Sequence, residues 1–130
     1  MQNPAGKTAL GLDTNLGALI CYLNICLPFG LIYSIIVLVT DKVNKLVRFH
    51  AFQSLLLTGV AIVVMVILQV FVVATAVATQ SGAMASLLGL LVWLVALGFL
   101  AAGIFAGVKG YGNQIFKLPV IGDMADKWSN

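Results

Sequence analysis

Three stretches of this chain run without a single Asp, Glu, Lys or Arg: residues 16–39, 51–79 and 87–108, of 24, 29 and 22 residues. At 1.5 Å of rise per residue, helices of those lengths measure about 33–44 Å, against a hydrocarbon core of about 30 Å. Hydrophobic residues make up 62% of the 130-residue chain and charged residues 8%. Soluble domains carry roughly 45–50% and about 25%. Seven Lys and Arg with four Asp cannot coat a water-facing surface of this size, so lipid must solvate most of it. The expected fold is therefore all-α: a single membrane domain over residues 1–130, a helical bundle of three to four transmembrane helices.

The chain reads in six parts. Residues 1–15 are a polar, mobile tail, with Asp13 or Thr14 placed to cap the following helix. Residues 16–39 form the first apolar run, too long for a signal h-region and without a cleavage motif, hence retained. Pro28-Phe29-Gly30 interrupts it. Proline inside a helix removes a hydrogen bond and clashes with the preceding turn. The run is then either one kinked span or a hairpin of helices near 14–27 and 30–40. Residues 41–50 read as a basic interfacial segment, with Val43, Leu46, Val47 and Phe49 dipping into the interface and Lys42, Lys45 and Arg48 snorkelling outwards. Residues 51–79 and 87–108 are spanning helices. Residues 109–130 form an interfacial tail in which Pro119 opens a short helix. There Ile121, Met124, Ala125 and Trp128 share a face, and Asp123 and Asp126 balance charge on the other. Tyr111 and Phe116 suit an aromatic belt.

The net charge of +3 reports orientation, not a nucleic-acid partner. Six of the seven basic residues fall in residues 41–50 and 109–130. Two spans separate those segments, so both lie on one side, the cytoplasmic one by the positive-inside rule. The N-terminus joins them if the first run is a hairpin. Cys21 and Cys26, five apart, point about 140° away from each other on a helix, which argues against a disulfide.

Two constellations stand out. On the helix that begins near His50, residues His50, Ser54, Thr58 and Gln69 fall within one sector of about 100°. With Arg48 and Gln53 they define a candidate polar or partner face. A carboxamide such as that of Gln69 deep in hydrocarbon needs a partner. It is read either as an interhelical hydrogen bond that fixes packing or as the lining of a polar path. His50, without a second ligand at metal spacing, is read as a polar residue at a helix start, bonded to Gln53, Ser54 or a headgroup, or as a contact to a partner or proton. The second constellation is a row of small residues in the last span: Gly98, Ala102, Ala106 and Gly110, with Gly103 and Gly107 beside it. Small residues at this spacing let helix backbones approach closely, within one subunit or against another protein.

No spanning segment carries an ionised group, and no phosphate loop, zinc motif, nucleophile elbow or carboxylate pair is present. The chain is read as non-enzymatic, with no catalytic, metal or cofactor site. Its expected partners are the lipid bilayer and other membrane proteins or a second copy of itself.

Val47-Arg48-Phe49-His50-Ala51-Phe52-Gln53-Ser54 resembles the signature at the start of a central membrane helix in the Tic-twenty-like family. That family includes a component of the chloroplast inner-envelope protein import translocon and small prokaryotic membrane proteins. Leu16-Gly17-Ala18-Leu19-Ile20-Cys21-Tyr22-Leu23 and Phe116-Lys117-Leu118-Pro119-Val120-Ile121-Gly122 resemble the start and end of the small prokaryotic members. The resemblance covers nearly the whole chain. It implies a four-helix membrane bundle with the first run as two helices, a bacterial inner-membrane location, and a role in protein import or membrane-protein assembly. The alternative reading is a small transporter or pore with a polar path along the His50–Gln69 face.

Overall fold

The structure, a computed structural model, describes residues 6–23 and 28–130. Five helices follow one another: α1 (Thr14–Ile20), α2 (Phe29–Thr40), α3 (Lys45–Thr79), α4 (Gly82–Tyr111) and α5 (Ile121–Ser129). Among the described residues there is no strand, only an isolated bridge between Lys7 and Asp13. The fold is the expected all-helical membrane bundle.

The first apolar run is a hairpin rather than a kinked span. Pro28 sits at the N-cap of α2, where its missing N–H removes no helical bond. Gly30 follows because nothing larger fits. A Cβ there would stand 2.6 Å from the Cys21 carbonyl oxygen and 2.8 Å from that of Ile20. The Gly30 N–H donates to the Leu23 carbonyl at 3.2 Å, closing the corner. The expected helix over 14–27 ends at Ile20 among the described residues. Its remainder, with Cys26 and the question of a Cys21–Cys26 disulfide, lies partly outside them.

The hairpin is shallow. At its base Asn44 Nδ2 donates to Thr14 Oγ1 at 2.6 Å. At its top Ser54 Oγ donates to the Cys21 carbonyl. From Asn44 to Ser54 is about 15 Å along α3, roughly half a hydrocarbon core. The pair α1–α2 therefore leaves from the end at which it enters, and α2, about 18 Å long, does not cross alone.

The reading of residues 1–15 as a mobile tail fails for residues 6–13. They fold back as a small loop: Thr8 N–H donates to Leu12 O at 2.7 Å, and Ala9 N–H donates to Asp41 Oδ2 at 3.0 Å. Asp13 holds the N-cap position but makes no cap bond. Thr14 is tied instead to the Gly6 carbonyl at 2.6 Å.

The interfacial reading of residues 41–50 is also corrected. Residues from Lys45 on are the first turns of α3, capped by Asn44, whose Oδ1 accepts from Val47 N–H at 3.4 Å. Leu46, Val47 and Phe49 are buried in protein, and only Val43, 75% exposed, behaves as an interfacial residue. They pack inward because α1, α2, α4 and α5 all converge on this one stretch of α3.

Helices α3 and α4 form a long antiparallel pair, about 52 and 45 Å, joined by Gln80 and Ser81 alone. Gln80 takes the left-handed conformation (φ 52°), and Ser81 Oγ accepts from Met84 N–H at 3.3 Å to start α4. The cap lets α4 begin at Gly82, five residues before the expected start at residue 87. After α4 the chain doubles back along α3 through residues 112–120, turning at Asn113 (φ 58°) and Val120 (φ 67°). Pro119 precedes α5 by two residues instead of opening it. Every charged residue and both described chain ends gather at the end of the bundle where α3 starts; the α3–α4 tip carries no charge.

Candidate functional site

The polar residues of the Arg-Phe-His-Ala-Phe-Gln-Ser stretch lie where the five helices meet. His50 and Gln53 are fully buried, and Ser54 nearly so. His50 does not bond to Gln53, Ser54 or a headgroup, as its sequence position suggests. Its Nε2 lies 2.9 Å from the Gln114 carbonyl oxygen, and its Nδ1 lies 3.1 Å from Tyr22 Oη. A carbonyl only accepts, so Nε2 must carry the proton. In the neutral ring Nδ1 is then an acceptor, and Tyr22 O–H donates to it. Gln53 Nε2 completes the chain by donating to Tyr22 Oη at 2.9 Å and to the Phe116 carbonyl at 3.0 Å. Gln53 Oε1 accepts from Leu118 N–H at 2.9 Å. Every hydrogen points one way, and every strong donor in the set has an acceptor.

The geometry depends on a missing side chain. A Cβ on Gly110 would stand 2.9 Å from Ala18 Cβ and 3.1 Å from His50 Nε2. One on Gly107 would meet Leu19 at 3.2 Å and Tyr22 at 3.4 Å. These glycines, with buried Ala106, let α1 close against α4 and bring Tyr22 to His50. The small-residue row thus divides. Ala106, Gly107 and Gly110 pack within the chain. Gly98 faces open space, Ala102 borders a cavity of about 360 Å³ shared with Leu118 and Pro119, and Gly103 has only Leu57 at 3.7 Å.

Arg48 serves the same junction from outside. Its guanidinium donates to the Asp41 carbonyl at 2.8 Å, and more weakly to Leu38 O and Ser129 O at 3.4 Å each, and lies over the Phe52 ring at 5.9 Å. A cation set at the carbonyl ends of α2 and α5 answers both helix dipoles. Trp128 packs edge-on to Phe52, with ring centroids 6.0 Å apart. In α5 it is Gly122, Ala125 and Ser129 that are buried, while Met124 and Trp128 stay partly exposed. Asp123 and Asp126 do more than balance charge. Lys117 Nζ lies 2.8 Å from Asp126 and 3.2 Å from Asp123, and Lys45 reaches Asp126 at 3.1 Å, binding α5 to α3. These neighbours hold the Asp126 carboxyl below its ordinary range, Lys117 contributing first and Lys45 next. Asp126 and then Asp123 raise the Lys117 ammonium.

The predicted polar face therefore splits. Arg48, His50, Gln53 and Ser54 are brought together. Thr58 borders a separate cavity of about 310 Å³ above Tyr22 and Ser54. Gln69 lies much farther along α3, exposed, on another cavity of about 460 Å³ with Gly89, Val92 and Trp93. Sequence reasoning missed Tyr22 as a member of the network. A hydroxyl in an apolar run, which must find a polar partner when buried, was the available signal. The carbonyls and N–H of residues 114–118 carried none. Among the described residues no group of three or more His, Cys, Asp or Glu is placed to hold a metal.

Two long apolar helices, of which 0% and 6% of the most apolar stretch is buried, over a polar junction that gathers every charge at one end, define an integral helical membrane protein. Over 124 residues the chain is 35% identical to UPF0132 membrane protein MJ1443 of Methanocaldococcus jannaschii, covering 95% of this chain and 96% of the relative. It is 29% identical over 124 residues to a second protein of that organism, UPF0132 membrane protein MJ1527, covering 92% of this chain and 73% of the relative. The chain belongs to the UPF0132 membrane protein family. No family profile matches it, and no solved structure does.

Proposed function

We propose that this protein is a non-enzymatic structural or interaction subunit of the membrane. The carrying observation is how the polar groups are used. His50, Tyr22, Gln53 and Ser54 are all bonded within the chain, so the junction holds the fold and offers no nucleophile, base or ligand to a substrate. What is left open is the α3–α4 surface, where Gly89 and Gly98 meet nothing within 4 Å, and small residues of that kind let the backbone of another helix approach closely. The likeness of the 47–54 stretch to the Tic-twenty-like signature favours a role in protein translocation or membrane-protein assembly. The positive-inside rule favours a cytoplasmic position for the charged end.

A polar path along His50–Gln69 is the weaker reading. Its lower members are closed in by α1 and by residues 114–118, and about 22 Å of helix separates Ser54 from Gln69. The test is extraction of the tagged protein into nanodiscs straight from native membranes, followed by mass photometry. A complex larger than one chain is expected, and a purely monomeric population overturns the proposal. Ion or solute flux through vesicles holding the purified protein, abolished by Gln69→Leu, would favour the path instead.

A further inference from the structure

Of the three cavities described along α3 and α4, one has a wall without a polar side chain. Tyr22, Ser54 and Thr58 border the cavity of about 310 Å³, and Gln69 borders that of about 460 Å³. The third, of about 360 Å³, lies between Leu57 and Val60 of α3 and Gly98 and Ala102 of α4, with Leu118 and Pro119 at its upper edge, and the rest of its wall is apolar too. Side chains that neither donate nor accept favour hydrocarbon and give a polar ligand no compensation for its lost water. The cavity opens sideways to the membrane. A Cβ on Gly98 would meet nothing within 4 Å, and Val60 is exposed.

Lys109 stands over this opening. Ala102 and Gly98 precede it by seven and eleven residues, so the three fall within about 40° of one another on α4, and about 10 and 16 Å of helix separate them from the lysine. The Lys109 ammonium leans towards the cavity, 5.5 Å from the centroid of the half-exposed Phe105 ring one turn nearer to it. Nothing in the chain neutralises that charge. Four side-chain carboxylates are present, and each is engaged elsewhere. Asp13 faces Lys7, Asp41 accepts from the N–H groups of Ala9, Val43 and Asn44, and Asp123 and Asp126 pair with Lys117 and Lys45. Charges on the segment beside the cavity and on α5 are therefore matched, and that of Lys109 is not.

The distances suit a lipid. Every charge gathers at the Lys109 end of the bundle, so headgroups lie at that end. One leaflet holds about 15 Å of hydrocarbon. A phosphate on Lys109 then lays a chain of the same molecule past Ala102 as far as Gly98. A helix is 10–12 Å across, and laid along α4 here it would run into residues 112–120, where Phe116 packs edge-on against Phe105 with centroids 4.9 Å apart. A hydrocarbon chain is narrow enough to pass.

We infer that this groove binds one anionic phospholipid of the bilayer, with the headgroup phosphate on the Lys109 ammonium and one hydrocarbon chain in the cavity below. The site narrows the interaction-subunit reading without resting on it: the Gly98 face goes to lipid, and the Gly89 face, about 180° round α4, stays open.

Native mass spectrometry of the whole chain in detergent tests it, by titration with dioleoyl phosphatidylglycerol or dioleoyl phosphatidylcholine. One phosphatidylglycerol is expected to bind in preference to phosphatidylcholine. Lys109→Gln should weaken phosphatidylglycerol about 5-fold and leave phosphatidylcholine alone, and Lys109→Arg should keep the preference. Lys42→Gln removes the same charge from the end of α2, where that side chain donates to the Leu38 carbonyl, and should change nothing. Ala102→Phe fills the cavity and should weaken both lipids about 10-fold, the worth of two buried methylenes. Should that variant lose its helical circular dichroism, Gly98→Leu fills the same space from an open position. Equal binding of the two lipids overturns the inference, as do equal losses from Lys109→Gln and Lys42→Gln, which mark a general surface attraction. Lipid binding indifferent to the filled cavity overturns it too, and so does a second protein chain found in place of the lipid.

Discussion

The two ends of this molecule are built from the same helices by opposite rules. Along the first ten residues of α3, polar side chains are inside: His50, Gln53 and Ser54 are buried while α1, α2 and α5 close around them. Along the remaining length, apolar side chains are outside, with Ile62, Val63, Leu90 and Trp93 all more than half exposed, and between residues 55 and 105 Val92 alone is buried. Lipid replaces water for the second region, so apolar exposure costs nothing there and cannot drive packing. The first region needs directional bonds to specify its geometry, and it uses nearly every polar group it has. One glutamine in each region shows the contrast: Gln53 makes three hydrogen bonds within the chain, whereas Gln69 makes none to a described residue.

Replacing both by leucine sharpens this most. Gln53→Leu leaves Leu118 N–H and the Phe116 carbonyl without a partner and takes from Tyr22 Oη the donor it accepts from, and is expected to cost about 2–4 kcal/mol. The loss should be visible as a large fall in thermal unfolding temperature in detergent. Gln69→Leu should leave the unfolding temperature of the detergent monomer unchanged or higher. Equal losses would erase the distinction between the two regions.

Glycine gives the next effect. Gly110→Ala drives a methyl group into Ala18 and His50, which should cost about 1–3 kcal/mol, less the helical preference of alanine. Gly98→Ala meets nothing within 4 Å and should gain up to about 1 kcal/mol from that preference alone. The sign of the change, read from the same melts, separates a packed glycine from an open one.

The smallest effect lies at the edge of the junction. Asp126 has its carboxyl lowered on folding, so its contribution is complete above the ordinary carboxylate range and is lost as pH falls through the folded value. Lys117 is raised, so its contribution is complete below the ordinary lysine range and lost as pH climbs through its folded value. Docking of α5 should therefore be flat across neutral pH and weaken at both extremes. Trp128 fluorescence would follow it, and because these charges face water, added salt should shrink the response.

Much of this was legible in the sequence. Absence of charge marks α3 and α4 plainly, because an ion in hydrocarbon is too costly to occur by accident. The Pro28-Phe29-Gly30 corner was visible as two alternatives, and only the contact of Gly30 with the Cys21 and Ile20 carbonyls decides between them. The stretch from Lys45 to His50 was misread because basic residues alternating with apolar ones look alike at a membrane surface and on a protein-covered helix start; what distinguishes them is the neighbour, not the pattern. The network around His50 was half legible. Its side chains could be named, but three of its partners are backbone groups between Gln114 and Leu118, and backbone atoms leave no mark in a sequence.

The separation of those partners bears on how the protein is made. His50 and Gln53 meet carbonyls and an N–H that lie 63–65 residues later in the chain. By the time residue 118 leaves the ribosome, both long helices have already been synthesised. The pair α3–α4 has only the uncharged Gln80 and Ser81 at its tip to carry across the bilayer, so it can enter with its histidine and glutamine matched by Tyr22 alone. Closure around them belongs to the last stage of biogenesis, after release of the final segment, and a nascent chain halted before Gln114 would sit in the bilayer inserted but not folded.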